Sequence, residues 1–179
     1  MATTIMATFH LTHQCNLRCT YCYTGAKQHK PMSDRVANAS IDFVLQEARK
    51  TQAEYLDITF FGGEPLLERD LLLRIADRFR QEVPASCALS FRTSTNGTLL
   101  TRHTMQALMR RDIYVSLSMD GPPELHDLQR PNAGGKGTGT AVAKAIPILL
   151  QANPCANVTC VITPATASKT AVCADWLYE

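Results

Sequence analysis

The chain has 179 residues, 45% of them apolar and 19% charged, with a formal net charge of +2; this is enough for one domain with its own core and is ordinary for an α/β protein. The charge leaves no basic footprint for nucleic acid, and no apolar run reaches the roughly 18 residues that a membrane span needs. The first nine residues lack the basic start and apolar core of a secretion signal, so the expectation is a cytoplasmic protein with neither nucleic acid nor membrane as partner.

In chain order, Ile5–Leu11 is the first predicted strand, short, apolar and bounded by polar residues. Ser33 then offers an N-cap to a helix whose apolar stripe is Ala37, Ile41, Val44, Leu45 and Ala48. Leu56–Phe61 is the second strand, and Leu72, Ile75, Ala76, Phe79 and Val83 form the stripe of the second helix. Ala88–Thr93 is the third strand. Thr101 caps a third helix with Met105, Leu108 and Met109 facing inward, and Ile113–Ser118 is the fourth strand. The glycine-rich stretch Asn132–Thr140 lacks the phosphate-loop pattern G-x-x-x-x-G-K-[ST], because Gly137 follows Lys136, and reads as a mobile loop. A fourth helix over Thr140–Ala152 uses Val142, Ala145, Ile146 and Leu149, with Pro147 kinking or shortening it. Asn157–Ile162 is the fifth strand, and Ala167–Tyr178 the last helix, on Val172, Cys173, Trp176 and Leu177. The methionines and Trp176 are read as core filler.

Five βα units in strict alternation predict a parallel sheet with right-handed crossovers. No G-x-G-x-x-G follows the first strand, so a dinucleotide-binding domain is not indicated. A closed eight-stranded barrel takes about 250 residues. The predicted fold class is therefore α/β, an open partial (βα) barrel, with residues 1–179 as one domain.

The seven cysteines are an odd number, and Cys15, Cys19 and Cys22 crowd into one C-x3-C-x2-C stretch. That clustering argues against a secreted disulfide framework and for a metal or redox site in a reducing compartment. Three thiolates in one tight loop repel one another unless a cation gathers them. Two centres suit them: a four-iron cluster with one iron left open for substrate, or a structural zinc with His13 as fourth ligand. Cys87, Cys155, Cys160 and Cys173 are scattered and read as buried thiols.

Three further segments sit with the cysteine loop at the carboxyl ends of predicted strands, where parallel barrels assemble their sites. They are Gly62-Gly63-Glu64-Pro65, Thr93-Ser94-Thr95-Asn96-Gly97 and Ser116-Leu-Ser-Met-Asp-Gly-Pro122. Each alone is an ordinary strand-to-helix turn; together they imply a site spread over the strand tips. Asp120 and His126 have the composition of an acid–base pair, but Asp before Gly is read as a turn.

These residues resemble the radical S-adenosylmethionine (SAM) superfamily. The three-cysteine loop, with Tyr21 before its last cysteine, is the superfamily's mark, and Gly62-Gly63-Glu64-Pro65 is similar to its stretch that meets the SAM amino group. The run Ser118-Met-Asp-Gly-Pro-Pro-Glu-Leu-His-Asp-Leu-Gln-Arg130 resembles that of anaerobic sulfatase maturases and related SPASM-type peptide-modifying enzymes. The resemblance implies a 4Fe-4S cluster on Cys15, Cys19 and Cys22, and SAM contacts from Tyr21, Gly62, Gly63, Glu64, Asn96, Ser118 and Arg130. In that role a glycine turn lets backbone carbonyls approach an ammonium closely, and Arg130 pairs with the SAM carboxylate in a two-pronged fork. Glu64 either meets the ammonium or holds its loop. Arg18 either eases thiolate formation or is solvated. The implied activity is reductive cleavage of SAM to a 5′-deoxyadenosyl radical that takes hydrogen from a peptide or protein; the alternative is a radical SAM enzyme acting on a small molecule or RNA. Formylglycine formation or a ribosomal-peptide crosslink would follow, with electrons from an external donor such as flavodoxin or ferredoxin. Nothing in the chain matches the C-terminal extension of those maturases, so it is expected to be their N-terminal SAM domain alone.

Overall fold

The computed structural model describes residues 3–178. Parallel pairing orders the five strands β1 (Thr4–Thr12), β2 (Tyr55–Gly62), β3 (Ala88–Thr95), β4 (Ile113–Ser118) and β5 (Val158–Thr159) as in the chain, without reversal. A sheet wound in one direction through right-handed crossovers receives all its helices on one face. This is the winding of a barrel, left open here between β1 and β5.

The covered face is built by alternation. Phe9 and Leu11 of β1, Leu56, Ile58 and Phe60 of β2, Phe91 of β3 and Ile113, Val115 and Leu117 of β4 are buried. Over them lie α1 (Asp34–Lys50), α2 (Arg69–Glu82) and α3 (Arg102–Met109). The predicted stripe of α1 is the buried set of that helix, and Ser33 Oγ accepts from Val36 N at its start. Thr101 caps α3 by accepting from Thr104 N. Phe79 of α2 meets Phe9 edge-on at 5.6 Å, and Phe60 stacks on Phe91 at 5.8 Å, so aromatic rings tie helix to sheet. The opposite face is open: Met6, Tyr55, Ser90 and Arg92 are exposed on it, and Arg92 forms a two-pronged ion pair with Asp57.

Several expectations need correction. Met109 is 43% exposed, because α3 ends there and Thr104 takes the buried place beside Met105 and Leu108. The fourth helix is two short ones, α5 (Gly139–Ala143) and α6 (Ile146–Ala152), with Pro147 in the first turn of α6, where its missing N–H costs nothing. β5 is two residues long rather than six. The chain leaves the sheet after Thr159 because the Val161 amide donates to the Asp120 side chain instead of a strand carbonyl. The last segment is a 3-10 turn (Ala167–Lys169) followed by α7 (Thr170–Tyr178); Val172 is exposed, Trp176 and Leu177 are half-buried and only Cys173 is buried. Sequence reading missed α4 (Pro123–Gln129), too short to show a period, and a 3-10 turn at Pro65–Glu68. The glycine-rich stretch is pinned rather than free: Asp127 Oδ1 accepts from both Thr138 N and Gly139 N. Among the described residues no helix is long and apolar enough to cross a membrane.

Candidate active site

The strand tips surround one cavity of about 500 Å³. Cys15, Cys19, Cys22, Tyr21, Gly62, Gly63, Glu64, Asn96, Ser118 and Arg130 all line it. His13 is exposed and does not, which leaves a zinc centre completed by His13 without its fourth ligand.

The cysteine loop is clamped from two sides. On one, Gly63 N donates to Thr12 O and Glu64 N to Gln14 O, both at 2.9 Å. The glycines are needed for this approach: a Cβ on Gly63 would stand 2.2 Å from Gln14 O, and one on Gly62, at φ +148°, 2.5 Å from Thr12 O. On the other side the segment after α4 runs antiparallel to the loop. Arg18 N donates to Pro131 O, Thr20 N to Gln129 O and Ala133 N to Asn16 O. Leu17, 1% exposed, plugs the loop into the interior. Arg18 bonds the carbonyls of Cys15 and Leu17 through Nη1, so it braces the loop from its solvent-exposed side.

Glu64 is fully buried. Its carboxylate accepts from Leu66 N, Thr95 Oγ1 and Asn96 N, joining the tips of β2 and β3. Burial pushes its pKa up, against the pull of those hydrogen bonds and of Arg130. Asn96 donates through Nδ2 to Asn16 Oδ1 at 2.8 Å and lies 3.8 Å from Cys15 Sγ, which ties β3 to the cysteine loop. Burial also raises the Cys15 and Cys19 thiols, and for Cys19 the neighbouring Cys15 and Cys22 add to the rise. Cys22 differs: burial pushes it up, but hydrogen bonds from Lys27 Nζ, at 2.7 Å, and Thr24 outweigh that and bring it to about 7. Lys27, a cavity residue, escaped the sequence reading because a lysine in a polar loop carries no pattern.

Asp120, read from the sequence as a turn residue, carries more than that reading gave it. Its carboxylate, fully buried, accepts from Tyr21 OH (2.7 Å), Arg130 Nε (3.0 Å) and Val161 N (2.9 Å). One side chain thus ties the cysteine loop, α4 and the segment after β5 to the end of β4. Arg130 also lies over the Tyr21 ring, 5.5 Å from its centroid, and is 6% exposed. Its Nε is spent on Asp120. Among the described residues its two Nη groups have no protein hydrogen-bond partner, and Arg130 lines the cavity. Asp120 and His126 do not form an acid–base pair; His126 Nδ1 accepts from the Asp120 backbone N–H.

The Radical SAM superfamily profile matches residues 9–176. The chain belongs to the radical SAM superfamily. It is 33% identical over 153 residues to an uncharacterized protein of Methanocaldococcus jannaschii, covering 86% of this chain and 51% of that protein. It is 31% identical over 161 residues to a cysteine-type anaerobic sulfatase-maturating enzyme of Clostridium perfringens, covering 86% of this chain and 42% of that enzyme. Native anSMEcpe with bound AdoMet and Cp18Cys peptide superposes with a TM-score of 0.84 at 26% identity, over 99% of this chain and 48% of that one. The radical SAM chain therefore spans about half the length of these relatives.

A 4Fe-4S cluster and SAM are the cofactors of this family. The cavity's donor set fits them. Among the described residues no three His, Cys, Asp or Glu side chains converge on a single ion. Three thiols around one cavity, beside a guanidinium with unspent donors, suit a polynuclear centre next to a carboxylate-bearing ligand.

Proposed function

We propose that the chain is the cluster- and SAM-binding domain of a peptide- or protein-modifying radical enzyme. The observation that carries this reading is the convergence of three cysteines, a glycine turn and Arg130 on one cavity at the strand tips. When bound, the cluster and SAM supply reductive cleavage of SAM to methionine and a 5′-deoxyadenosyl radical. The chain's own residues hold and orient. Cys15, Cys19 and Cys22 are the iron ligands. Arg130, fixed through Nε by Asp120, offers its Nη groups to the SAM carboxylate. Gly62, Gly63 and Ser118 line the remaining wall, with Tyr21 beneath Arg130. Glu64 and Asn96, whose polar atoms are spent on neighbouring loops, set the wall's shape.

The similarity to a sulfatase-maturating enzyme and to a peptide-bound anSMEcpe supports a peptide or protein substrate, oxidised to formylglycine or crosslinked. An external donor such as flavodoxin or ferredoxin supplies the electron, in a reducing, cytoplasmic setting.

The test is anaerobic reconstitution followed by iron analysis and SAM calorimetry. Wild type should take up one four-iron cluster, and the chain with Cys15, Cys19 and Cys22 changed to Ala none. Arg130→Ala should weaken SAM binding by about 1.5–3 kcal/mol, the worth of a charged hydrogen bond, and Arg130→Lys should restore part of it. Full iron loading of the triple variant, or wild-type SAM affinity in Arg130→Ala, would refute the assignment of the corresponding residues.

A further inference from the structure

Lys27 stands half-buried in the wall of the strand-tip cavity. Its Nζ donates to Cys22 Sγ at 2.7 Å and to Thr24 Oγ1. Thr24 Oγ1 in turn lies 3.3 Å from Cys22 Sγ. A thiolate has no proton to give, so with Cys22 as an iron ligand the Thr24 hydroxyl is the donor. Cys22 then accepts two hydrogen bonds, one of them from a cation. The other two cysteines differ. Cys15 Sγ accepts from Leu17 N at 3.4 Å and lies 3.8 Å from Asn96 Nδ2, both uncharged donors. Cys19 Sγ has no hydrogen bond among the described residues. No Asp or Glu precedes Asp34 in the chain, and among the described residues Lys27 pairs with no carboxylate. Its charge is therefore directed at the sulfur. The neighbouring cations are engaged elsewhere: Arg130 faces Asp120, and Arg18 bonds carbonyls of the cysteine loop.

We propose that Lys27 tunes the reduction potential of the cluster held by Cys15, Cys19 and Cys22, raising it through its hydrogen bond to the Cys22 sulfur. The inference rests on the cluster assignment made under the proposed function. The step concerned is the gain of one electron from an external donor; no bond forms or breaks, and Lys27 keeps its proton. Three thiolates give the centre an anionic shell, and the added electron makes it more negative. A cation at a ligand sulfur therefore favours the reduced state over the oxidised one, because Coulomb attraction grows with the charge it meets. Half-burial of Lys27 limits the water that would screen it. The donated N–H draws density from the sulfur in the same direction, and hydrogen bonds to sulfur and net charge are the protein's levers on such potentials. Thr24 supplies the positioning. A lysine ammonium rides on a flexible stem, and the bond to Thr24 Oγ1 holds it beside the sulfur.

The experiment is an anaerobic redox titration of the reconstituted full chain, without SAM, with dithionite supplying the electrons and electron paramagnetic resonance as the readout. We expect wild type and Lys27→Met to hold equal iron. The one-electron reduction constant of Lys27→Met should be about tenfold smaller, a midpoint about 59 mV lower. Lys27→Arg, which keeps a charged donor, should recover most of that shift. Lys30→Met removes an exposed lysine of the same loop that lies outside the cavity wall, and its midpoint should equal that of wild type. An unchanged midpoint in iron-loaded Lys27→Met would overturn the proposal and leave the cluster assignment standing; so would an equal drop in Lys30→Met, since the effect would then belong to the loop's charge at large. Should Lys27→Met lose iron, Lys27→Gln, neutral but able to bond the sulfur, is compared with Lys27→Arg, and equal midpoints in that pair overturn the proposal. Wild type that takes up no iron sinks the cluster assignment itself, and this inference with it.

Discussion

At the scale of single residues, Asp120 holds the most together. A buried carboxylate facing a buried guanidinium is costly to break, because the remaining charge is left unpaired; typical losses are about 3–5 kcal/mol. Asp120→Asn keeps the shape and an acceptor for Tyr21 but removes the charge. We expect stability to fall by about that amount in chemical denaturation, and SAM affinity to fall with it in calorimetry, since Arg130 loses its anchor. His126 carries a second expectation. Thr138 spends its one hydroxyl proton on the Arg130 carbonyl, so His126 Nε2–H must donate to Thr138 Oγ1, leaving Nδ1 as acceptor. The ring is neutral, and burial, aided by Arg130, lowers its pKa. The unfolded chain binds a proton near pH about 6.5 while the folded chain does not. The His126 contribution is therefore full above that pH and is lost as pH falls toward the folded pKa, with a slope of up to about 1.4 kcal/mol per pH unit. Stability measured between about pH 7.5 and 5 should decline less steeply in His126→Asn.

At the scale of elements, the glycine turn after β2 sets how near two strand tips can come. Gly63→Ala places a Cβ against backbone that cannot yield. We expect a loss of about 2–4 kcal/mol together with poor iron loading, read by melting and metal analysis. Gly134→Ala, which meets only Asn132 Oδ1 at 3.4 Å, should match wild type. The same turn shows what the sequence discloses. Strands β1 to β4 are legible because each alternates or runs apolar between turn formers, and the cavity wall is legible because turns at parallel strand tips converge. β5 is not, since Asn157–Ile162 has strand composition but loses its ladder to the Asp120 carboxylate, a long-range event. Asp120 itself hides behind an Asp-Gly pair common to many turns. Cys155, expected to be buried, is exposed, and Cys160 is only half-buried: a scattered cysteine carries no period from which burial can be read.

At the scale of the whole molecule, the open face of the sheet bears on activity. A parallel sheet usually has both faces covered, whereas here Tyr55, Ser90 and the Arg92–Asp57 pair meet water. Shielding of a radical step would be incomplete over such a face, and the chain spans 48% of the peptide-bound anSMEcpe. We expect the reduced, reconstituted 179-residue chain to release 5′-deoxyadenosine slowly and to leave Cys- or Ser-containing peptides unmodified. Chromatography and peptide mass from one vial test this; one-to-one coupling of SAM cleavage to peptide modification would contradict it.

The double clamp on the cysteine loop has a further consequence. Small metal domains commonly fold only as the ion binds, so the metal also meets the cost of ordering the chain. Here backbone bonds from Gly63 and Glu64 on one side and Gln129, Pro131 and Ala133 on the other impose that order without it. The loop is a socket rather than a keystone: stripping the iron with a chelator should leave the far-ultraviolet circular dichroism unchanged. A cluster destroyed by oxygen would then cost the protein its charge of iron and not its shape, and the same molecule could be filled again.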